Sequence, residues 1–527
     1  MIAKVYSCTI LGLAVSAVEV EAGVYGGLPE FLLVGLPDAA VRESRERVRS
    51  ALTSSGYRWP ARRVIVNLAP ADLRKEGGGL DLAVAVGVLA ASEQLVLPDI
   101  EQFVFWGELS LDGSLRSTRG ALPAALALSE DWGRCLVVPE ENYDEARRGM
   151  DRVIPLRHLR ELARLTELKS RAESGGFVGR LRPAEPGASS AEPGAAPAIL
   201  PEGFSHSRGL AAPAPFADLR LVRGQLQARR ALELAAAGGH SLLLLGPPGC
   251  GKSLLARCLP TILPPLEEAE ALMVNRIYSA AGLLTRERPW ISQRPFRSPH
   301  CGITKAGLLG GGRPFLPGEV SLAQHGVLYL DELPEVGRGA LEGLRQPLEE
   351  GRITLRRAWG AVTMPAAFQL VASANPCPCG YYGDSRQICR CGDYQLRRYR
   401  ARLSGPLLDR LDMIVNVPRL GAALFREDNG APEGSAPVAK RVARARLFCR
   451  ESGFGAEESI EEARRRLSAG AARLAALAYE ERGMSARGYF RLLRLAGTAA
   501  NLAGEGEISE DSLAEALQYR QEFLPIP

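Results

Sequence analysis

The sequence predicts an α/β protein of more than one domain, and three observations carry that reading. Strand-like and helix-like segments alternate over residues 1–166 and again over 216–424, a stretch rich in Pro, Gly, Ala and Ser separates the two blocks, and helical patterns fill 425–527. Alternation of this kind lays helices against a largely parallel sheet. With 527 residues the chain is too long for one core, and its 46% hydrophobic content is ample for several.

In the first block, "AKVYSCTIL", "AVSAVEVEAG", "EFLLVGLP" and "RRVIVNLAP" read as strands, and "DAAVRESRERVRSALTSSG" reads as a helix capped by Asp38 and stopped by Gly56. An apolar helix, "DLAVAVGVLAAS", follows, then a hairpin, "FWGELSLDGSLRS", with Asp112 and Gly113 at its turn, then a helix and the strand "CLVVP". Residues 167–215 hold few large apolar side chains, so burial cannot offset their ordering entropy and they read as a linker. The final stretch carries helical patterns in "KRVARARLFCRESG", "SAGAARLAALAYEERG", "SARGYFRLLRLAGTAANLAG" and "SEDSLAEALQYRQ", the last three amphipathic enough for a small bundle.

Composition narrows the setting. No run approaches the 18 consecutive apolar residues of a membrane span, and "MIAKVYSCTILGLAVSAVEVEAG" has acidic residues where a signal peptide needs small ones. A soluble cytoplasmic protein is therefore expected. Of ten cysteines, Cys8, Cys135, Cys250, Cys258, Cys301 and Cys449 are scattered, which does not fit a secreted disulfide framework. The net charge of +5 is small and mixed in sign, so it permits nucleic-acid binding without arguing for it. Only six of the 65 basic residues are lysine, so each lysine stands out against the arginine habit of the chain.

One lysine lies in "SLLLLGPPGCGKSLLARCL", where an apolar run precedes Gly246, Pro247, Pro248, Gly249, Cys250, Gly251, Lys252 and Ser253 and a helical pattern follows. Strand, glycine-rich loop and helix in that order are what a phosphate loop requires. Its backbone N–H groups converge on phosphate oxygens at a helix N-terminus, Lys252 meets the β and γ phosphates, and the Ser253 hydroxyl binds Mg²⁺. Further on, "GVLYLDELPEV" ends a buried-strand pattern in two carboxylates, Asp331 for Mg²⁺ and Glu332 for the attacking water. The next strand, "FQLVASAN", ends in Asn375, placed to orient that water if the two strands are neighbours. Arg410 in "LSGPLLDRLDM" and Arg487 in "SARGYFRLLR" are candidates to stabilise charge on the transferring phosphoryl group; taken singly, each reads more readily as a surface ion-pair residue.

Immediately after Asn375 comes "PCPCGYYGDSRQICRC". Cys377 and Cys379, then Cys389 and Cys391, offer four thiolates to one tetrahedral Zn²⁺, a structural site because no coordination position stays open. An iron–sulfur cluster and unmetallated thiols are the alternatives. Downstream, Arg397, Arg398, Arg400 and Arg402 in "YQLRRYRARLSG" separate the cage from Arg410. The cage thus lies between Asn375 and Arg410, which raises the question whether it fixes the geometry between them. Replacing Cys389 is expected to impair assembly while leaving nucleotide binding by a single subunit intact.

Together "VRGQLQARRALELAAAGGHSLLLLGPPGCGKS", "RPFRSPHCGITKAGLLGGGRPFLPGEVSLAQHGVLYLDELPE", "LRQPLEEGRITLRRAWGAVTMPAAFQLVASANPCPCG" and "RLSGPLLDRLDM" resemble the AAA+ ATPases of the magnesium-chelatase-like group, specifically the ComM (YifB) family. The resemblance covers nearly the whole chain. It implies an ATP-driven homo-hexameric ring, with Asp331 and Glu332 as the Walker B pair and Asn375 as sensor 1. Arg410 becomes a finger reaching a neighbour's ATP, and Arg487 the sensor 2 arginine on a C-terminal helical lid. It also implies a helicase-type motor for DNA branch migration in natural transformation, acting on single-stranded or branched DNA without regard to sequence. On that resemblance the segments on either side of the Asp331 strand are insertions into the ring's pore, offering Lys305, Arg313, Arg352, Arg356 and Arg357 to DNA phosphates.

Residues 1–166 are similar to the fold shared by the Lon protease domain and ribosomal protein S5 domain 2. The catalytic serine of such a protease has no counterpart here, since no serine occurs between Ser55 and Ser92, and a non-catalytic module is expected. A chelatase-like motor that remodels a protein partner is the competing functional reading, and an ATP-dependent protease is disfavoured by the missing serine.

Overall fold

The computed structural model describes residues 2–131, 133–173, 216–312, 314–357, 360–384, 386–420, 432–451 and 460–520. It divides into two units, Met1–Thr9 with Val15–Pro215 and Ile10–Ala14 with Phe216–Pro527.

The first unit is built on a seven-stranded mixed sheet in the order Glu30–Val34, Arg63–Ala69, Ala14–Tyr25, Ile2–Leu11, Phe103–Phe105, Cys135–Pro139, Val153–Leu156. Arg63–Ala69 alternates between core and outer face along its length, whereas Cys135–Pro139 is buried throughout, as expected of a strand covered on both sides. The helix Ala39–Ser54 starts where Asp38 Oδ1 accepts from Val41 N at 2.8 Å, and Gly56 adopts φ 93° just beyond its end. The helix Asp81–Ala91 is apolar around its circumference and correspondingly buried on all sides. Its one acid, Asp81, is held by a two-pronged pair with Arg47, Nε to Oδ2 at 2.8 Å and Nη2 to Oδ1 at 3.1 Å. Phe103–Phe105 and Val153–Leu156 are strands too short for the alternation test to reveal. The helix Leu165–Glu173 makes residues 167–173, read above as linker, helical: "LTELKSRAE" carries good helix formers that a composition average over the longer stretch hides. The rest of that linker lies outside the described residues.

The second unit holds a five-stranded sheet, all parallel, in the order Phe296–Arg297, Val327–Leu330, Gln369–Ala374, Leu242–Leu245, Met413–Asn416. In chain order this is 2-3-4-1-5, so the first strand sits between the fourth and the fifth. A strand order that reverses in this way leaves a crevice at the carboxyl ends of the strands, where ligands bind in open α/β sheets.

The C-terminal helices do not form a separate bundle. Ser435–Glu451, Ala469–Glu481, Ala486–Ala503 and Glu510–Gln518 share one core with the helix Leu226–Gly238 and with Leu242 and Leu244 of the first strand. Leu492, Leu493 and Leu495 have no exposed surface in that core, and each contributes roughly 1.5–3 kcal/mol of burial free energy. The unit also contains two short antiparallel hairpins, Gly310–Gly311 with Leu316–Pro317 and Arg352–Arg357 with Gly360–Pro365. No helix among the described residues is long and apolar enough to cross a membrane.

Candidate functional site

Strand register assembles the site. Leu245 pairs with Ala374, so Gly246 and Asn375 leave the sheet side by side; Leu330 pairs with Ala372, which sets Asp331 beside Ser373. Gly246 N donates to Ala374 O at 3.2 Å, and a Cβ on Gly246 would lie 2.2 Å from Val417 O of the neighbouring chain segment, so only glycine fits. Gly249 and Gly251 have φ of 75° and 96°, the left-handed turns that swing the loop onto the helix Lys252–Cys258.

Lys252 is only 9% exposed, and burial lowers its pKa. Its ammonium donates to Gly246 O at 2.6 Å, Pro247 O at 3.0 Å and Asn375 Oδ1 at 3.1 Å. All three acceptors are neutral, so a phosphate oxygen is a stronger partner than any of them. Ser253 Oγ lies 3.4 Å from Asp331 Oδ2. Two cis ligands of an octahedral Mg²⁺ are separated by about 2.9 Å, so hydroxyl and carboxylate need only close slightly to fit that ion.

Sequence reasoning missed two groups that hold this pair in place. The Tyr329 hydroxyl contacts Ser253 Oγ at 3.1 Å and Asp331 Oδ1 at 3.0 Å, and the Ser373 hydroxyl donates to Asp331 Oδ1. Both stand two residues before a predicted site residue, on the same face of its strand, so period-2 alternation was the available signal. Glu332 adopts φ 50°, ψ 51°, a left-handed conformation that costs a residue with a Cβ about 1–2 kcal/mol. Its N–H donates to Asp331 Oδ1 at 3.1 Å and Ser373 Oγ at 3.2 Å, and the residue is exposed beside the crevice.

The four cysteines meet, their Sγ atoms all lying within 4.8 Å of one another. Cys377 is 3.3 Å from Cys379 and 3.6 Å from Cys389, and Cys379 is 3.6 Å from Cys389. Four sulfurs at about 2.3 Å from a tetrahedral zinc are about 3.8 Å apart, so the donor set fits that ion with small adjustments of the separations. N–H groups of Tyr382 and Cys391 point at Cys377 Sγ and Cys389 Sγ, at 3.3 and 3.5 Å, as thiolates require. Burial pushes the Cys377 thiol up to about 12, while at Cys379, against the effect of burial, N–H groups of Arg390 and Tyr381 bring the thiol down to about 6.

Arg410 and Arg487 stand elsewhere. Both pair with Glu349 Oε1, Arg410 through Nη2 at 2.7 Å and Arg487 through Nη2 at 2.9 Å. Arg410 is 8% exposed, gives Nη1 to Pro406 O at 2.6 Å, and keeps a buried Nε that has no hydrogen-bond partner among the described residues. It lines a cavity of about 310 Å³ with Arg294, Arg446, Arg491, Arg494 and Asp412. Ser241, Gly326 and Gln369 also line it, and they mark the amino ends of three strands, the edge opposite the phosphate loop. Asp412 accepts from Ser241 N at 2.8 Å and Arg491 Nη1 at 2.9 Å; though burial raises its pKa, His240 and Arg491 hold the carboxyl below its ordinary range. Burial brings Arg446 down to about 10. The spacing of Arg487, Arg491 and Arg494, one helical face, was a legible signal for this cluster, whereas nothing in the sequence marked Glu349.

Of the basic residues expected at a pore, Lys305 opens the helix Lys305–Leu309 and is exposed. Arg352, Arg356 and Arg357 are exposed on a hairpin whose Ile353, Leu355, Val362 and Met364 are buried. Arg313 lies outside the described residues.

A parallel 2-3-4-1-5 sheet with a glycine-rich loop after its first strand, an Asp-Glu pair after its third and a polar terminus on its fourth is the arrangement of the AAA+ type of fold. Family models described as "Magnesium chelatase, subunit ChlI", "Subunit ChlI of Mg-chelatase" and "Magnesium chelatase, subunit ChlI C-terminal" match residues 218–424, 20–142 and 432–520. An uncharacterized protein of Mycobacterium tuberculosis is 42% identical over 528 residues, 98% of each chain. Competence protein ComM of Haemophilus influenzae is 39% identical over 534 residues, 98% of this chain and 97% of the relative. YifB of Escherichia coli is 39% identical over 523 residues, 98% and 96%. The chain belongs to the ComM/YifB family of magnesium-chelatase-like proteins.

Proposed function

We propose that this protein is an ATP-hydrolysing ring motor that moves along DNA, a homo-hexamer of the branch-migration or helicase type. The observation that carries the reading is the split between the two sheet edges. Phosphate-loop donors, metal ligands and Glu332 converge at the carboxyl edge, while Arg410 lies at the amino edge, about 13–20 Å away along strands of four to six residues. An arginine so placed cannot reach the nucleotide of its own chain; in a head-to-tail ring it reaches the next copy's.

In this reading the loop N–H groups and Lys252 hold the phosphates of ATP, and Ser253 and Asp331 hold Mg²⁺, which neutralises charge on the β and γ oxygens when bound. Glu332 draws a proton from the attacking water, Asn375 orients that water, and Arg410 with Arg487 of the adjoining copy neutralises the phosphoryl group in flight. The four cysteines hold a structural Zn²⁺. The first unit serves as a non-catalytic, Lon-like module, and the C-terminal helices act as the lid. The exposed arginine hairpin and Lys305 contact DNA phosphates without reading bases, so affinity should fall steeply with salt. The competence name of one relative supports DNA as the partner.

A second reading, a motor that remodels a protein partner, draws on the chelatase descriptions of all three family models. ATP turnover by the full chain with and without single-stranded or branched DNA separates the two. Stimulation by DNA supports the motor, and no response to any DNA structure alongside stable binding to a protein partner overturns it.

A further inference from the structure

We propose that the four-cysteine loop braces the phosphate loop, so that filling the cage with Zn²⁺ sets the affinity of the site for nucleotide. This rests on the reading of residues 246–253 as the nucleotide site, and it places a determinant of ATP affinity in residues that never touch ATP.

The two loops are in direct contact. Gly380, with φ 85°, donates its N–H to Cys377 O at 2.9 Å and turns its Cα toward the ring of Pro248. A Cβ at that position would lie 2.6 Å from Pro248 Cδ and 2.7 Å from Cγ, closer than side-chain carbons approach. Pro248 in turn lies between Pro247, whose carbonyl accepts from Lys252, and Gly249, one of the two left-handed turns of the loop.

Two further ties bracket the cage. Asn375, two residues before Cys377, accepts from Lys252 through its side chain, and its backbone carbonyl accepts from Tyr399 OH at 3.2 Å. Tyr399 belongs to the helix Asp393–Arg400, which starts two residues after Cys391. On the other side Arg419 lies 3.6 Å from Asp384 and over the Tyr381 ring at 5.8 Å. Arg419 stands two residues after Val417, the residue whose carbonyl leaves room only for glycine at position 246.

What holds the loop in that place is not apolar packing. Among the described residues from 381 to 391 none is buried, and Ile388 is 90% exposed. Ordering such a segment costs about 1–2 kcal/mol per residue in backbone entropy. With no hydrophobic core of its own, the loop depends on its four converging thiolates, and metal binding there is folding free energy. Loss of the metal therefore releases Gly380 from Pro248 and frees the phosphate loop to leave its binding shape. The expectation that nucleotide binding survives replacement of Cys389 changes accordingly. By linkage the effect is reciprocal, and bound nucleotide should slow zinc release.

The test uses the full chain, a fluorescent ATP analogue with Mg²⁺, and zinc content measured on every sample. Stripping zinc with a chelator is expected to weaken analogue binding by roughly tenfold or more, and readdition of Zn²⁺ to restore it. Two glycine variants separate contact from general loop damage, because Gly380 and Gly383 both have positive φ, 85° and 77°, but a Cβ on Gly383 meets nothing within 4 Å. Gly380→Ala is expected to keep its zinc and lose roughly tenfold in affinity, and Gly383→Ala to stay within about twofold of the parent. Pro248→Ala removes the ring atoms that the new Cβ would strike, so Gly380→Ala should cost less in that background. Equal affinity with and without zinc, or equal loss in the two glycine variants, overturns the brace. If the zinc-loaded parent fails to bind the analogue, or Lys252→Ala binds it equally well, the nucleotide-site reading fails and the brace falls with it.

Discussion

The two edges of the five-stranded sheet handle charge in opposite ways. At the carboxyl edge Lys252 is met by neutral oxygens, and Asp331 is tied to the hydroxyls of Tyr329 and Ser373. At the amino edge five arginines line one cavity, where Asp412 stands among them and Glu349 and Glu270 reach Arg410 and Arg294 from its margin. The carboxyl edge thus suits phosphates and a metal, as the proposed function requires, and among the described residues the amino edge holds cations in excess of the acids that face them. An excess of guanidinium beside a buried Arg410 Nε that has no partner among the described residues is costly unless an anion arrives. On the proposed function one chain would carry both halves of a phosphoryl-transfer site at opposite ends, with a second copy as the source of the missing half.

Three changes should break or sharpen that contrast. Lys252→Ala removes the phosphate-gripping ammonium at the carboxyl edge, and equilibrium binding of ATP should weaken by roughly a hundredfold or more with turnover lost. Glu332→Gln keeps shape and metal ligands but removes the base, so turnover should fall by about 10²–10⁴ while ATP binding persists. A third test comes from the amino edge and concerns stability. His240 is buried with Nε2 2.7 Å from Thr498 Oγ1, and burial brings its pKa from the ordinary 6.5 down to about 4. Between those values the unfolded chain takes up a proton that the folded chain refuses, so stability is lost as pH falls from 6.5 toward 4, by about 3 kcal/mol in total. Thermal unfolding followed across that window should show a slope that His240→Gln flattens.

How far each edge was legible in the sequence follows the same division. The carboxyl edge could be read because phosphate loops, acidic strand ends and a polar strand terminus are local patterns, each carried by a few consecutive residues. Register then brought Gly246, Asp331 and Asn375 together without any further signal. The amino edge joins residues 294, 349, 410, 446 and 491, which are far apart in the chain and share no spacing, so only Arg410 and Arg487 were singled out from the sequence, and the helical stripe that Arg487 shares with Arg491 and Arg494 was not. The four cysteines were legible as a candidate metal set but not as neighbours of Pro248, because that contact depends on the left-handed turn at Gly380. In the first unit, three- and four-residue strands such as Phe103–Phe105 and Val153–Leu156 are too brief for periodicity to separate from coil.

Mixing two inactive chains tests most directly whether a second copy completes the site. Lys252→Ala leaves the amino edge whole, and Arg410→Ala leaves the carboxyl edge whole, so in mixed assemblies some interfaces pair an intact phosphate loop with an intact arginine. Each variant alone should hydrolyse ATP at background rate, and the mixture should recover a substantial fraction of the parent's turnover, since such an arginine is worth about 10³–10⁵ in rate. Mixed assemblies shown to form and still lacking turnover at every ratio would contradict the account.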